Sequence, residues 1–532
     1  MTQSDDAQGI AMHDAGLTPA GAPVEGRESR IAAALAAVAA ERTGVPAPAM
    51  VVAAFDDSGV IAWHGSEMPR RDGEGVTRHT VFRIASMTKS FLAATALALV
   101  EEGRLDLSAD IREYLPYVRL LASDEPQTVT VGELLANRSG LPEDNAWGDR
   151  QLGSDREAIA ELVTAGIRLT TLPGIGYQYS NLGMSLVGRA IETLVGHTIE
   201  QEIRERFIDP LGLTHTRFDP ADYPEGTDIA PGFRTFDAGE SFVPEPLLTT
   251  GALACIGGLF STVDDVARWA WFLGSAFTEA PDRPDLLSPR SRRDMQRTHT
   301  SIPAPLPTDD RDFASLGYGL GLFVSEDRRF GRMADHSGGL PGFSSHMRWH
   351  VESGVGTVAF GNSDGFRSET YAVAAHARVL EAADTPSSTV RPWPEAVAAA
   401  ERFDALLCAG ESLGGAAEFA AENLFADVPV EVRDDRVAEL LRTVGLPLAQ
   451  PAFIDRIVGA ADAGQLRWRI DCELGSLVCD IRMIGLRVPL VQSLTVMIAE
   501  PGGRKPASEE PNGRDRAAIV LSRNPASSPS NG

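Results

Sequence analysis

Lysine is almost absent from this chain. Lys and Arg together number 48, yet only two positions, Lys89 and Lys505, are lysine. Arginine fills every other cationic position. Cysteine is scarce too: Cys255, Cys408, Cys472 and Cys479 are the only four in 532 residues, and their spacing fits no zinc pattern. Long apolar runs are missing. The stretch IAAALAAVAA at 31–40 is too short to cross a bilayer and reads as an amphipathic or core helix. The N-terminal MTQSDDAQGIAMHDAG lacks the basic start and apolar core of a secretory signal. These absences predict a cytoplasmic protein without a membrane partner. Positive charge is also in deficit, with a formal net charge of -26. Such a surface repels phosphate backbones and argues against nucleic acid as a partner.

What is present is a soluble globular composition, 43% hydrophobic and 23% charged, on a chain long enough for two or three domains. Residues 1–28 are polar and contain Gly and Pro, as a disordered tail would. Periodic apolar segments fill 29–382. The Pro/Ser-rich ADTPSSTVRPWP at 383–394 reads as a linker. Residues 395–499 carry helical spacing and then alternating strands, the pattern of a small α+β domain. Residues 500–532 return to a polar, Gly/Pro/Ser-rich tail. Gly475-Ser476 suggests a two-residue hairpin turn, which would set Cys472 opposite Cys479 as free thiols in a reducing compartment. No internal repeat is visible.

The opening deficit makes Lys89 informative. It stands three residues after Ser86, in MTKS, ahead of the helical run FLAATALALVEEG that Gly103 ends. Residues i and i+3 of a helix share a face, about 5–6 Å apart at Cβ. A neutral lysine there takes the serine proton and creates a nucleophile. Arginine cannot, because its guanidinium does not deprotonate in proteins. Chance places a serine three residues before a given lysine roughly one time in fifteen. With two lysines in the chain, the coincidence carries more weight than usual.

Two further fragments are candidates. Tyr179-Ser180-Asn181 precedes a second helix that Gly196 ends. In an extended segment Tyr179 and Asn181 face the same way. Tyr179 can relay a proton between Ser86 and a leaving group, and Asn181 can hold Lys89 and a substrate carbonyl. The same fragment equally suits a helix cap above a core tyrosine. His336-Ser337-Gly338-Gly339 reads as a strand whose glycines let a substrate backbone approach, with Ser337 and Gly338 as substrate-binding positions. The amides of Gly339 and Ser86 can form an oxyanion hole. His336 can bind a carboxylate when protonated, or assist proton transfer when neutral. A Gly-rich hairpin with an incidental histidine explains that fragment equally well.

Taken in order, Ser-x-x-Lys, Tyr-x-Asn and His-x-Gly resemble the class C β-lactamase-like serine hydrolases. That family includes β-lactamases, penicillin-binding DD-peptidases, D-aminopeptidases, esterases and some acyltransferases. Flanking stretches strengthen the likeness, among them VFRIASMTKSFLAATALALVEEGRLDLSADIREYLP, IGGLFSTVDDVARWAWFL and DHSGGLPGFSS. It covers about residues 30–380. The resemblance implies an α/β (α+β) fold: an antiparallel sheet flanked by helices, with an inserted helical region and the site between them. It also implies an acyl-enzyme on Ser86 and no metal or organic cofactor. Two departures stand out. His336 occupies a position that is usually lysine in true β-lactamases, as in the esterase, peptidase and aminopeptidase branches. The usual His-Thr-Ser-Gly-Leu landmark reads Asn137-Arg138-Ser139-Gly140-Leu141. The expected substrate is a small ester, amide or short peptide. The alternatives are an acyltransferase using the same intermediate, a penicillin-sensing module that acylates without turnover, and a scaffold with a dead site.

Overall fold

The computed structural model describes residues 24–41, 45–66, 75–306, 312–385, 389–499 and the backbone of 518–519. Most of both expected tails lies outside the described residues. Helical order nevertheless begins at Val24, inside the stretch read as a tail, where Arg27 bridges Asp56 at 2.9 Å. Ala518–Ile519 likewise pairs in parallel with Thr389–Val390, so the presumed C-terminal tail and linker each contain a short strand.

Strands β1 (Met50–Asp56), β2 (Gly59–Gly65), β3 (Thr300–Ile302), β4 (Phe313–Tyr318), β5 (Phe323–Asp327), β6 (Gly331–Leu340), β7 (Phe343–His350) and β8 (Gly356–Gly361) form one antiparallel sheet. Its order is β3-β4-β5-β6-β7-β8-β1-β2. Helices α1 (Val24–Glu41), α2 (Thr88–Glu101), α3 (Asn145–Arg150), α4 (Asn181–Val195), α5 (Ala254–Gly257), α6 (Val263–Gly274) and α7 (Ser368–Ala382) surround it. Period-two alternation explains the layers. Val51, Ala53 and Phe55 enter one core with Phe360 and Trp269. Val52 and Ala54 point the other way, to Ile31, Leu35, Ala375 and Val379. Both faces are covered, which is why β1 is an almost unbroken apolar run. This is the α/β sandwich with an inserted helical region that the sequence led us to expect.

Helix α2 is buried from Thr88 to Leu99. It docks on α6 through a stack of Phe91 on Trp269 with ring centroids 3.8 Å apart. Trp269 Nε1 also donates to Ser90 Oγ at 2.9 Å. A buried tryptophan N–H thus finds its acceptor within the same contact.

Strand β6 places the site. Its pairing with β5 ends at Asp335, opposite Phe323, so His336–Leu340 are laddered on the β7 side alone. Val351 N–H donates to Arg332 O at 2.9 Å. Alternation along an antiparallel ladder then makes Leu340–Phe343 a hydrogen-bonded pair and leaves Gly339 between bonds. The Gly339 N–H therefore points away from β7. Next to it, a Cβ on Gly338 would lie 2.2 Å from the Ile84 carbonyl oxygen. Gly338 is thus a packing glycine that presses the strand onto the segment before Ser86. It does not line the cavity, which corrects its expected role in substrate binding.

The C-terminal residues form an antiparallel sheet of β9 (Ile457–Gly459), β10 (Gln465–Asp471), β11 (Ser476–Ile484) and β12 (Leu490–Ile498), covered by α8 (Pro394–Ala409) and α9 (Val430–Val444). Their core is Phe403, Leu407, Trp468, Ile470, Cys479 and Ile481. Inside it Arg456 Nη1 donates to Asp404 Oδ1 at 2.7 Å, and Trp468 Nε1 donates to the same oxygen at 2.9 Å. The hairpin differs from expectation. Asp471 pairs with Ser476 and Trp468 with Cys479, leaving Cys472–Gly475 as a four-residue loop. A slide of two residues per strand keeps the same side chains inside, so alternation could not set the register. The loop is fixed by a distant segment: Leu474 N–H donates to Val444 O at 2.7 Å and Glu473 N–H to Leu446 O at 3.1 Å. All four cysteines are free. Among the described residues, no helix is long and apolar enough to cross a membrane.

Two outcomes follow from this packing. Asp404→Ala strands the Arg456 guanidinium inside the C-terminal core and should cost about 3–5 kcal/mol, read as a lowered denaturant midpoint for that module. Gly338→Ala forces β6 off Ile84, and a shift of about 1 Å at Gly339 should cut turnover on the order of 10². Near-native steady-state rates in that variant would show that β6 does not set the site.

Candidate active site

Ser86 lies in a 3₁₀ turn, Ala85–Met87, that runs directly into α2. Ala85 is held at φ 46, a left-handed conformation that costs an alanine about 1–2 kcal/mol. The strained turn is braced by Thr88 Oγ1 donating to Ala85 O at 2.7 Å and by Ser345 Oγ donating to Ile84 O at 2.7 Å. One turn on, Lys89 Nζ donates to Ser86 Oγ at 2.9 Å and to Ile256 O, on α5, at 2.8 Å. Lys89 is 0% exposed. Burial pulls its pKa down to about 7, against the pull of Asp149, Cys255 and Asp144. Asp149, at the end of α3, is itself pushed up to about 6 by burial, with Lys89 opposing. Its Oδ1 is buried without a hydrogen-bond partner among the described residues.

Tyr179 completes the cluster. Lys89 Nζ sits 4.9 Å from the centroid of its ring. Burial drives the phenol well above its ordinary range, and a hydrogen bond from Ser86 offsets this only in part. The tyrosine is fixed from Asn137, whose backbone is also left-handed, at φ 51. Gln178 N–H donates to Asn137 O at 2.9 Å and Ser180 N–H to Asn137 Oδ1 at 3.0 Å, so the backbone is clamped on both sides of Tyr179. At the landmark position the asparagine side chain thus serves as the acceptor for Ser180 N–H, in a backbone conformation that asparagine tolerates.

Asn181 is placed differently from expectation. Ser180 is the N-cap of α4, its Oγ accepting from Gly183 N–H at 3.0 Å. Asn181 is therefore the first helical residue, and the extended Tyr-x-Asn geometry does not apply. Its side chain donates to Asn145 Oδ1 at 3.1 Å, while Lys89 is held by Ser86 and Ile256. Asn145 lines the cavity and Asn181 does not. Asp144 anchors this corner, accepting from Asn181 N–H at 2.6 Å and Leu182 N–H at 2.9 Å. An anion at a helix N-terminus is well matched to the helix dipole.

On the opposite wall His336 is buried, and desolvation pushes it down to about 3, with Lys89 adding to the effect. Its Nδ1 lies 2.6 Å from Ser337 O and its Nε2 3.1 Å from Tyr318 Oη. A carbonyl only accepts, so Nδ1 carries the proton and Nε2 accepts from Tyr318. The imidazole is neutral and engaged at both nitrogens, so its expected carboxylate-binding role is not available. Ser337 Oγ is 2.9 Å from His346 Nδ1. Ser86, Tyr179, His336, Ser337 and Gly339 line one cavity of about 310 Å³. Among the described residues, none beyond Val373 lines its wall. Cys255 is buried on α5, pushed up to about 12, and is likewise absent from the wall. Among the described residues, no group of three or more His, Cys, Asp or Glu side chains could hold a metal. Sequence reasoning missed Asn137, Asp144, Asn145, Asp149 and Tyr318. Asn137 alone carried a signal, as the odd residue of a noticed landmark.

Comparison with known proteins fits this geometry. Protein flp of Staphylococcus aureus (strain COL) is 26% identical over 285 residues, covering 53% of this chain and 53% of that protein. The chain spans about half the length of the curated relatives it matches. The octameric penicillin-binding protein homologue from Pyrococcus abyssi shares the fold at 21% identity and TM-score 0.53, over 87% of this chain and 92% of that one. The D-amino acid amidase from Ochrobactrum anthropi SV3 does so at 24% identity and TM-score 0.52, over 67% and 98%. The family model for Beta-lactamase matches residues 36–381. That match takes in both walls of the cavity and more than half of the sequence: the chain belongs to the Beta-lactamase family.

Proposed function

We propose that this protein is a serine hydrolase that forms an acyl-enzyme from an ester or amide. The observation that carries the reading is the contact of Lys89 Nζ with Ser86 Oγ at 2.9 Å, made by a buried amine whose pKa is about 7. Burial thus brings the neutral, proton-accepting form of Lys89 within reach near neutral pH. Ser86 Oγ attacks the carbonyl as its proton passes to Lys89. Charge building on the carbonyl oxygen meets the N–H of Ser86, at the start of a helix, and the outward N–H of Gly339. Such donors are each worth about 10²–10³ in rate.

Tyr179 is a phenol, not a phenolate, at neutral pH, because burial holds it protonated. It therefore acts as a relay: its phenol donates to the leaving group and takes a proton back from the Lys89 ammonium, which lies beside its ring, while Ser86 Oγ stays bonded to the acyl carbon. In the second step water attacks the ester, and the same groups run in reverse. His336 holds Tyr318 and the strand end in place as a neutral acceptor. The fold shared with a D-amino acid amidase supports an amide-cleaving or ester-cleaving role.

Lys89→Arg and Lys89→Met should each lower acylation by at least about 10³, read by intact mass after exposure to a reactive p-nitrophenyl ester. A normal burst in either variant would remove the base role of Lys89. The pH profile gives a second check. The Lys89 amine must be neutral to act, so kcat/KM should fall as pH drops through about 7. The Asp149 carboxylate stabilises the ammonium, so Asp149→Asn lowers the Lys89 pKa. The acid limb should then move to lower pH, by roughly half a unit to one unit. An unmoved limb in a folded variant would separate Asp149 from the lysine.

A further inference from the structure

Asn145 is the first residue of α3 and lines the same cavity as Ser86, Tyr179 and Gly339. It is exposed there, yet it is anchored from two sides. Asp144, the residue before it, accepts three hydrogen bonds from the start of α4: from Ser180 Oγ at 3.0 Å, Asn181 N–H at 2.6 Å and Leu182 N–H at 2.9 Å. One turn on, α3 meets Asn181 at Gly148, where an added Cβ would lie 2.9 Å from Asn181 Nδ2. Asn145 and Gly148 share a helix face. The Asn181 carboxamide rests against that face and donates to Asn145 Oδ1 at 3.1 Å. Asn181 is itself 0% exposed, so a fully buried side chain holds one at the cavity wall. The bond occupies the oxygen end of the Asn145 carboxamide. The NH2 end of the same planar group carries two donors and is turned away from Asn181.

We propose that Asn145 donates a hydrogen bond to a second carbonyl of the acyl donor, distinct from the carbonyl that Ser86 attacks. The inference rests on the acyl-enzyme reading above and specifies its substrate class: esters and amides with an oxo or acylamino group, ahead of plain alkyl ones. Asn181 is then a positioning residue that acts on the substrate only through Asn145. Two features favour this division of labour. The bonds from Asp144 and Asn145 tie α3 to the start of α4, which follows directly on Tyr179-Ser180, so the Asn145 amide keeps a set place relative to the phenol. A donor already immobilised also loses little freedom when a substrate engages it. An N–H group in a wall rewards a substrate acceptor and penalises the analogue that lacks one. The neutral acceptor such donors carry is a carbonyl oxygen.

The test uses the full chain and two matched pairs of p-nitrophenyl esters: pentanoate with 4-oxopentanoate, and hexanoate with 5-oxohexanoate. Each kcat/KM is divided by the alkaline hydrolysis rate of the same ester, which removes intrinsic reactivity. At least one oxo ester should exceed its alkyl match by roughly three- to tenfold. Asn145→Ala and Asn145→Asp should each bring that ratio to one or below. The aspartate keeps the acceptor for Asn181 and loses only the NH2 donors, so it separates the proposed contact from the link between the two helices. A ratio that persists in Asn145→Asp, whatever the overall rate, would overturn the inference. So would turnover of all four esters by the unmodified protein with neither oxo ester favoured, a result that leaves the acyl-enzyme reading standing. Failure of every ester to acylate Ser86 would overturn both.

Discussion

The site depends on one amine being kept from water. An exposed lysine is an ammonium at any physiological pH and could not take a proton from serine. Lys89 escapes this because α2 is buried along nearly its whole length, an arrangement that disfavours the charged form by several kcal/mol. The helix must therefore be apolar on all sides, and it must dock on α6 without gaps, as the Phe91–Trp269 stack does. The fully buried α2 follows from the charge state required of Lys89, and the uninterrupted FLAATALALV run follows from the buried helix.

Bringing the second wall up to Ser86 is a problem of backbone approach. The nucleophile turn carries a left-handed alanine, and β6 meets it at Gly338, where a side chain has no room. The early departure of β5 frees the edge that offers the Gly339 N–H, and it also lets the cavity run round to α7. One local feature, a strand that outlasts its neighbour, thus frees both the Gly339 N–H that the proposed mechanism uses and room in the cavity beside it. Asn137 plays the matching part on the other wall, holding Tyr179 through backbone bonds on either side.

How much of this the sequence disclosed depended on the range of the interaction. The Ser86–Lys89 pair is local, three residues apart on a helix, and the scarcity of lysine made it conspicuous. The strand carrying His336 and the helices after Ser86 and Ser180 followed from local pattern, with stops at Gly103 and Gly196 that the structure keeps, while the antiparallel sheet as a whole came from the family resemblance. Asn181 was misplaced because capping by Ser180 makes Asn181 itself the first helical residue, and cap geometry decides which way a side chain points. Asp144 and Asp149 were unreadable because their partners lie on α4 and α2, far along the chain. The β10–β11 register failed for the same reason, since residues 444–446 fix a loop that alternation leaves free to slide.

The substitution of arginine for lysine elsewhere gains meaning beside the acidic composition. A chain of net charge -26 surrounds any amine with carboxylates, and each one favours the ammonium form. Asp144 and Asp149 do this to Lys89, while burial pushes the other way. Neither influence alone is suited to catalysis. Burial unopposed would leave an amine too weakly basic to hold a proton between steps, and the carboxylates unopposed would lock the proton on. Their balance near neutrality is what the proposed mechanism asks of Lys89, which must take the serine proton in one step and return it in the next. Arginine stays charged under both influences, so it can replace lysine at positions that only need a cation and cannot replace it at position 89.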